Sequence, residues 1–570
     1  MDTPPLSRAH LPLSRLRLRA PPRSKARPLG KRRKGVSTQK SRIKRAPLNW
    51  RLSDRFSEQR STRKKVRAME SSSLKYCSVL LDSARLTEKH SFYFDLLPYL
   101  AKWGYNTILW HFTDDQGCSL RFDTRPELAS QGAFSKEEMK SFISCARRKG
   151  IEVIPELESF GHAGYITRRM EYRHLFETIE GRPFGAVCPS SPETIEILED
   201  LIREVAELFP SEHIHAGCDE VSFGSCPRCR ERLSQEKPWE VFAQHIETIR
   251  LIMGKYGKKM MMWGDHLTSE PELANRIPKD ITICDWQYFD VEASNVSGLL
   301  EKGFDVVCCP ALMNAGKVIH PRESNLENIK EFTRVASNSE SARVVGMMNT
   351  VWCPYRYLQG AVIHGIALGA AVFRNADLEP EHFSREFAAD YFAVADAAAV
   401  GNAIRAFYGV APELSLVKSL APLDWDEFEP PDTMQIEECE RMRREGLEIL
   451  ATLQAHRPHI HRNINHYDDI LVSAETIVGL ADNAADIRRF FEIVSMDDLR
   501  EGNTVKPRAQ DLLRSLAARS RSLHARVREC WKKTRFEDDP KRDGRTTIYP
   551  HDSSLAHRLK SAADFFVKLT

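Results

Sequence analysis

The feature that most constrains this chain is an alternation. Between residues 76 and 374, short β-rich runs and longer amphipathic runs take turns eight times. The strand pattern predicts β-strands at 76–82, 105–112, 151–157, 212–217, 259–263, 281–286, 304–309 and 343–351. Helical patterns fill the gaps at 90–103, 135–149, 191–209, 237–256, 270–276, 294–302, 323–337 and 359–374. Ser135 with Glu138 three residues on is a capping-box start, and Gly150 is a fitting stop. Eight β/α units in this length predict an α/β fold, a (β/α)8 TIM barrel over residues 69–375. An open doubly wound sheet would be expected to carry a Gly-rich first turn, which this sequence lacks.

After the alternation stops, residues 376–570 read as an all-helical accessory domain, with long helices at 432–456 and 506–535. In the first, Glu437, Glu438, Arg441 and Arg443 suit one face and Ile436, Met442, Leu447 and Leu450 another. Whether this domain packs on the barrel or joins two copies as a homodimer is open at this level. His459, His461 and His466 sit in this charged, helical stretch and read as a solvated face or an interface.

Charge marks the other boundary. The chain has a formal net charge of +4, but residues 1–67 hold 22 Lys and Arg against three acids. That segment is +19 and the remainder −15. Residues 1–68, rich in Pro, Arg, Lys and Ser, read as a disordered basic extension, because such a composition cannot bury enough surface to offset its ordering entropy. A nucleic-acid tail is the rival reading. The segment has only Trp50 and Phe56 as aromatics for base stacking, so no nucleic-acid partner is expected. No run of about 18 apolar residues exists, so no membrane span or membrane partner is expected. Thirteen scattered cysteines and no legible secretory leader predict free thiols in a reducing, cytoplasmic setting.

The sharpest chemical feature is His215-Ala216-Gly217-Cys218-Asp219-Glu220 at the end of the fourth predicted strand. Period-2 alternation puts His215, Gly217 and Asp219 on one face, with Gly217 leaving room in the barrel mouth. In a barrel of this kind, chemistry gathers at the C-terminal strand ends. Two carboxylates with divided roles suit glycoside hydrolysis. A retaining pair that works as acid and nucleophile stands about 5 Å apart across the scissile bond. Adjacent Asp-Glu better suits a route in which one acid protonates the leaving oxygen and its neighbour steers a substrate group that attacks. A capped strand end with two solvated acids is the bland alternative.

Four motifs give this a family context. The run 213–220 (HIHAGCDE) resembles the H-x-G-x-D-E motif of glycoside hydrolase family 20, the β-N-acetylhexosaminidases. Residues 110–117 (WHFTDDQG) resemble its W-H-x-x-D-D-Q motif, 153–162 (VIPELESFGH) its P-E-x-x-x-x-G-H motif, and 81–85 (LDSAR) its L-D-x-x-R. The resemblance covers the barrel and neither the head nor the helical tail. It implies an exo-acting enzyme that cleaves terminal β-linked N-acetylglucosamine or N-acetylgalactosamine with retention. The substrate's own 2-acetamido oxygen would be the nucleophile, and no cofactor would be needed.

By the same resemblance, Glu220 is the expected general acid and then base, and Asp219 the acceptor of the acetamido N–H. Arg85 is expected to fork onto adjacent sugar hydroxyls. Asp114 and His162 are expected beside the acid pair, tuning Glu220 through a hydrogen-bonded chain. Trp263, Trp286 and Trp352 are expected to wall the pocket, since sugar C–H faces stack on aromatics. Asp265 is expected to bind hydroxyls or to orient Trp263, and His111 to be structural.

The sequence also departs from the family pattern. Where family members carry Tyr-x-Asp on the seventh strand, this chain has 308–314 (CCPALMN), so Asn314 or Tyr288 is the expected replacement. Trp352 is followed by Cys353-Pro354-Tyr355 and not by the family's Glu. The small α/β domain that usually precedes the barrel has no counterpart in the basic head. These departures lean toward the intracellular, hexosaminidase-D-like branch. Cys226-Pro227-Arg228-Cys229 follows the acid pair, with Cys218 and His215 as conceivable zinc partners. Without a second C-x-x-C at ribbon spacing it reads as a loop of free thiols, and no metal is expected. No phosphate-cradling glycine loop is present.

Overall fold

The computed structural model describes residues 74–178, 185–339, 341–496, 505–536 and 554–570, all within one compact unit, Lys65–Thr570. The expected disordered extension of residues 1–68 lies outside the described residues. Eight parallel strands form a closed barrel. In chain order they are β1 (Tyr76–Asp82), β2 (Thr107–His111), β3 (Glu152–Glu156), β4 (His213–His215), β5 (Lys259–Trp263), β6 (Thr282–Trp286), β7 (Asp305–Cys309) and β8 (Val344–Val351). β8 pairs back onto β1, with Leu81 opposite Val351. The eight β/α units expected from the alternation are all present, and their bounds shift by only a few residues.

The strands read as apolar runs because helices cover the outside and side chains fill the inside; Thr107–His111 is buried throughout. The outer helices show the matching one-sided pattern. Lys136–Arg148 buries Met139, Phe142, Ile143 and Ala146 behind the Ser135/Glu138 capping box. The last barrel helix, Gly360–Arg374, is apolar nearly all round because it is covered on both sides. Gly369 meets Asn349 of β8, and the backbone of His466 closes on Gly360 from the helical region.

That helical region packs on the barrel. Its longest helices are Thr433–His456, Ile464–Phe491 and Pro507–Thr534. Arg535, fully buried, bonds Glu88 at 2.9 Å and the carbonyl oxygens of Tyr357 and Pro354 at 2.7 and 2.8 Å. The arginine thereby ties the tail to the loops after β1 and β8. One expected core residue is corrected: Leu447 is exposed. The buried seam of its helix runs Cys439, Met442, Gly446, Ile449 and Leu453. Gly446 faces Val478, where even a Cβ would stand 3.0 Å from the valine, so the bare position and not its neighbour takes the close approach. His459 and His461 are exposed, whereas His466 stacks on Tyr391 and shares a 2.7 Å hydrogen bond with its hydroxyl.

The barrel's register positions the site. Asp82 lies opposite His111, His111 opposite Glu156, and Glu156 opposite His215. Laterally registered residues share a side of the sheet, so β1 to β4 end in a row of four titratable side chains, all buried.

Candidate active site

That row is a hydrogen-bonded floor. Glu156 accepts from His111 Nδ1 at 2.7 Å and from Trp263 Nε1 at 2.7 Å, with His215 Nδ1 at 3.4 Å. Burial disfavours the His111 cation, but Glu156 and Asp114 outweigh it and push the imidazole up to about 9. Arg85 stands on the same side, its guanidinium 3.0 Å from Asp82 and 2.8 Å from Asp114 and 4.8 Å from the centre of the Trp352 ring. Its Nε is buried without a partner.

Above this floor lies a cleft of about 290 Å³. Arg85, His162, Asp219 and Glu220 line one side, and Trp286, Tyr288, Asn314 and Trp352 the other, with exposed Phe289 at the rim. His162 centres the acidic side. Its Nε2 reaches Glu220 Oε2 at 3.2 Å and Asp219 Oδ2 at 3.5 Å, and its Nδ1 donates to Asp115 Oδ2 at 3.0 Å. Burial works against the imidazolium, yet Asp219, Asp115 and Glu220 together raise His162 well above the ordinary histidine range. The expectation gave this chain to Asp114, and the structure corrects it. Asp114 Oδ2 is drawn to Arg85 and lies 3.6 Å from His162 Nδ1, which leaves the hydrogen bond to Asp115.

A second carboxylate beneath Asp219 was not expected. Glu158 is wholly buried, and desolvation with the charge of Asp219 raises it well above the carboxylate range. Asp219 itself, despite burial, is held below its ordinary value by His162. One carboxyl is thus kept neutral beside one kept ionised. Gly217 makes room for this: a Cβ there would fall 1.8 Å from Glu158 Oε2. The signal for Glu158 and Asp115 was present inside the motifs 153–162 and 110–117, at positions that periodicity does not rank.

The backbone that delivers the acid pair is not a regular strand. β4 stops at His215, and Gly217, Cys218 and Glu220 take φ of 66°, 72° and 48°. The expected strict alternation through Asp219 therefore fails. Ladder-like bonds continue even so, from Ala216 N to Met261 O and from Trp263 N to Gly217 O. Among the described residues seven non-glycines have positive φ, and four of them, His162, Cys218, Glu220 and Cys353, border this site. Such conformations cost about 1–3 kcal/mol each and persist only where surroundings hold them. Asp265 supplies part of that hold, accepting the Glu220 N–H at 3.0 Å through Oδ2, and burial pushes its carboxyl up to about 6. It anchors Glu220 where hydroxyl binding or a contact with Trp263 was expected.

The aromatic expectations divide. Trp286 and Trp352 line the cleft; Trp263 does not, being 1% exposed beneath Trp352 and bonded to Glu156. Its indole N–H seeks the floor carboxylate, which draws the ring inward. Tyr288 accepts from Trp352 Nε1 at 2.7 Å. Trp286 Nε1 and Asn314 Nδ2 are buried donors without partners, and Asn314 Oδ1 accepts from Gly316 N at 2.9 Å.

Comparison with known proteins follows the same boundaries. Residues 74–356 match the glycosyl hydrolase family 20 catalytic domain. The chain is 26% identical to a beta-hexosaminidase of Vibrio furnissii over 271 residues, covering 41% of this chain and 43% of that protein. It is 30% identical to the beta-hexosaminidase subunit alpha of Mus musculus over 207 residues, covering 32% and 38%. Hexosaminidase D of Bos taurus is 26% identical over 246 residues, covering 40% of this chain and 70% of that one. The chain spans less than half the length of the first curated relatives it matches. Among solved structures, the family 20 exo β-N-acetylglucosaminidase of Vibrio harveyi is similar at 22% identity and a TM-score of 0.47, covering 54% of this chain and 56% of that one.

Proposed function

We propose, from the premise that residues 74–356 belong to glycosyl hydrolase family 20, that this protein is an exo-acting β-N-acetylhexosaminidase. It removes terminal non-reducing β-linked GlcNAc or GalNAc with retention. The observation that carries the reading is the meeting of Asp219 and Glu220 at His162 Nε2 on the edge of one small cleft. At about 290 Å³ the cleft is at the small end of ligand pockets, which suits one terminal sugar.

In the proposed reaction Glu220 gives its proton to the glycosidic oxygen as the C1–O bond breaks. The 2-acetamido oxygen attacks C1 from the other face. Asp219, kept ionised, accepts the acetamido N–H and offsets the positive charge that grows there. Water then attacks C1 and yields a proton to Glu220, which closes the cycle with net retention. His162, held between Asp115 and the pair, fixes the two carboxylates relative to each other. Trp286 and Trp352 take the apolar faces of the sugar and its acetamido methyl. Arg85 Nε and Asn314 Nδ2 are the unpartnered donors for its oxygens.

The test is turnover of chromogenic β-GlcNAc and β-GalNAc by wild type and Glu220→Gln. No turnover of either sugar, or full activity in the variant, would sink the assignment. A thiazoline analogue should inhibit, and a β-glucoside without the acetamido group should turn over poorly. A weakly active or non-catalytic sugar-binding barrel is the second reading. It is favoured by Cys353-Pro354-Tyr355, which puts no carboxylate beside Trp352. Binding of an acetamido sugar without turnover would select it. Thirteen free cysteines support a reducing, cytoplasmic setting as part of the proposal. Among the described residues no helix is long and apolar enough to cross a membrane. Deleting residues 1–68 should leave the activity in place; a loss would give the basic head a role.

A further inference from the structure

Away from the cleft, four residues from three segments converge. Glu177 ends the first strand of a short hairpin, Cys188 follows its second strand, and Cys226 and Cys229 begin the helix Pro227–Leu233. Cys188 Sγ lies 3.6 Å from Cys226 Sγ and 3.6 Å from Cys229 Sγ. The ligand atoms of all four residues lie within 4.8 Å of one another. These sulfur separations are far from a disulfide, whose S–S bond is about 2.05 Å. They are close to the edge of a tetrahedron around zinc, about 3.8 Å for Zn–S bonds of 2.3 Å. The Cys229 N–H also points at Cys226 Sγ, 3.3 Å away, a contact that favours a thiolate acceptor.

Glu177 makes the second, independent argument. It is 0% exposed, and its carboxylate collects the N–H groups of Gly224 at 2.8 Å, Ser225 at 2.7 Å and Cys226 at 3.3 Å. No Lys, Arg or His of the described residues forms an ion pair with it. A buried carboxylate held by backbone N–H groups, with no cation paired to it among the described residues and three sulfurs converging beside it, is the electrostatic complement of a metal ion.

We propose that Glu177, Cys188, Cys226 and Cys229 form a structural zinc(II) site. Soft thiolates select zinc among the abundant divalent ions, and three sulfurs with one carboxylate oxygen close a tetrahedron. Binding releases the three thiol protons to solvent, and no electron changes hands. The site ties the hairpin that follows His162 to the loop that carries Asp219 and Glu220. It thereby braces the strained backbone at Gly217, Cys218 and Glu220 from the outside. A zinc site here departs from the expectation of free thiols without a metal. The ligands the sequence could not supply are Glu177 and Cys188, the latter 38 residues from Cys226, and neither Cys218 nor His215 belongs to the cluster.

The test is elemental analysis of the full-length protein, produced with zinc in the medium and desalted. About one zinc per chain is expected, with absorption fine structure giving three sulfurs near 2.3 Å and one oxygen at about 2.0–2.2 Å. Cobalt(II) in its place should show thiolate charge-transfer and the intense visible bands of a tetrahedral ion. Zinc should fall to background in Cys188→Ser and Cys229→Ser and persist in Cys439→Ser, a buried thiol outside the cluster. Chelation should lower the melting temperature of wild type by several degrees. Background zinc in wild type, a Cys226–Cys229 disulfide in the mass spectrum, or full zinc in both serine variants would each overturn the proposal. All of these readouts are independent of glycosidase activity.

Discussion

The two sides of the cleft are built on different principles. From β1 to β4 it is a web of buried charge: Arg85 with Asp82 and Asp114, His111 with Glu156, and His162 with Asp115, Asp219 and Glu220. From β6 to β8 it is aromatic and nearly neutral, with Trp286, Tyr288 and Trp352 in contact and Trp286 Nε1 and Asn314 Nδ2 unpartnered. The first side is largely engaged with itself, so losing a buried member such as Arg85 strands a charge in low dielectric, whereas Glu220 is partly exposed and Arg85 Nε is still unpartnered. The second has spare apolar surface and spare donors, which is what a bound sugar can use. Chemistry and stability are therefore concentrated on the first side and most of the recognition on the second, with Arg85 Nε the first side's spare donor.

The largest effect expected from breaking that division is on Glu220. Glu220→Gln should lower kcat by about 10²–10⁴-fold, the usual weight of a general acid–base group. Its melting temperature should stay near wild type, because the side chain is partly exposed. A comparable loss in a Trp286 variant would erase the distinction between the sides. Next comes Arg85→Met, which strands Asp82 and Asp114 in the interior and should cost roughly 3–5 kcal/mol in urea unfolding. An unchanged midpoint would mean the charged side is not a coupled web.

His111 tests the web by pH. Its folded value, about 9, lies above the ordinary 6.5, so its stabilisation is complete below about pH 6.5 and is lost as pH rises through 9. Wild type should exceed His111→Gln by on the order of 3 kcal/mol at pH 6, and the gap should shrink toward pH 10. A gap independent of pH would remove His111 from the charged set. The smallest effect belongs to the aromatic side. Tyr288→Phe deletes one hydrogen bond to Trp352, worth about 1 kcal/mol. It should raise KM several-fold and leave kcat and the melting temperature nearly unchanged. A kcat loss instead would bring Tyr288 into the chemistry.

Legibility follows the same division. Arg85, His162, Asp219 and Glu220 sit in contiguous motifs at strand ends, so strand-end placement and the resemblance of those motifs to family 20 together pointed to the cleft. Trp286, Tyr288, Asn314 and Trp352 were visible only as aromatics or polar residues near later strand ends, and the structure was needed to show that they face one cavity. Trp263 looked the same in sequence and went elsewhere, because Glu156 takes its N–H. Asp114 and Asp115 are neighbours, and no pattern distinguishes them. Arg85 decides between them by claiming the first.

The sequence by itself determined the barrel, the order of its eight strands, the helical tail and the position of the acid pair. The barrel and the tail rest on local periodicity and on caps and turns, and the acid pair on a contiguous motif at a strand end; such signals span a few residues and are written where they act. Only the tertiary structure decided which aspartate holds His162, which glutamate is kept neutral under Asp219, and that Gly446 rather than Leu447 enters the helical core. The same holds for the meeting of Cys188 with Cys226 and Cys229. Each of these depends on barrel register, on left-handed backbone at a few positions, and on competition among buried charges. Such terms are set by residues far apart in the chain, and they have values only once the chain has closed on itself.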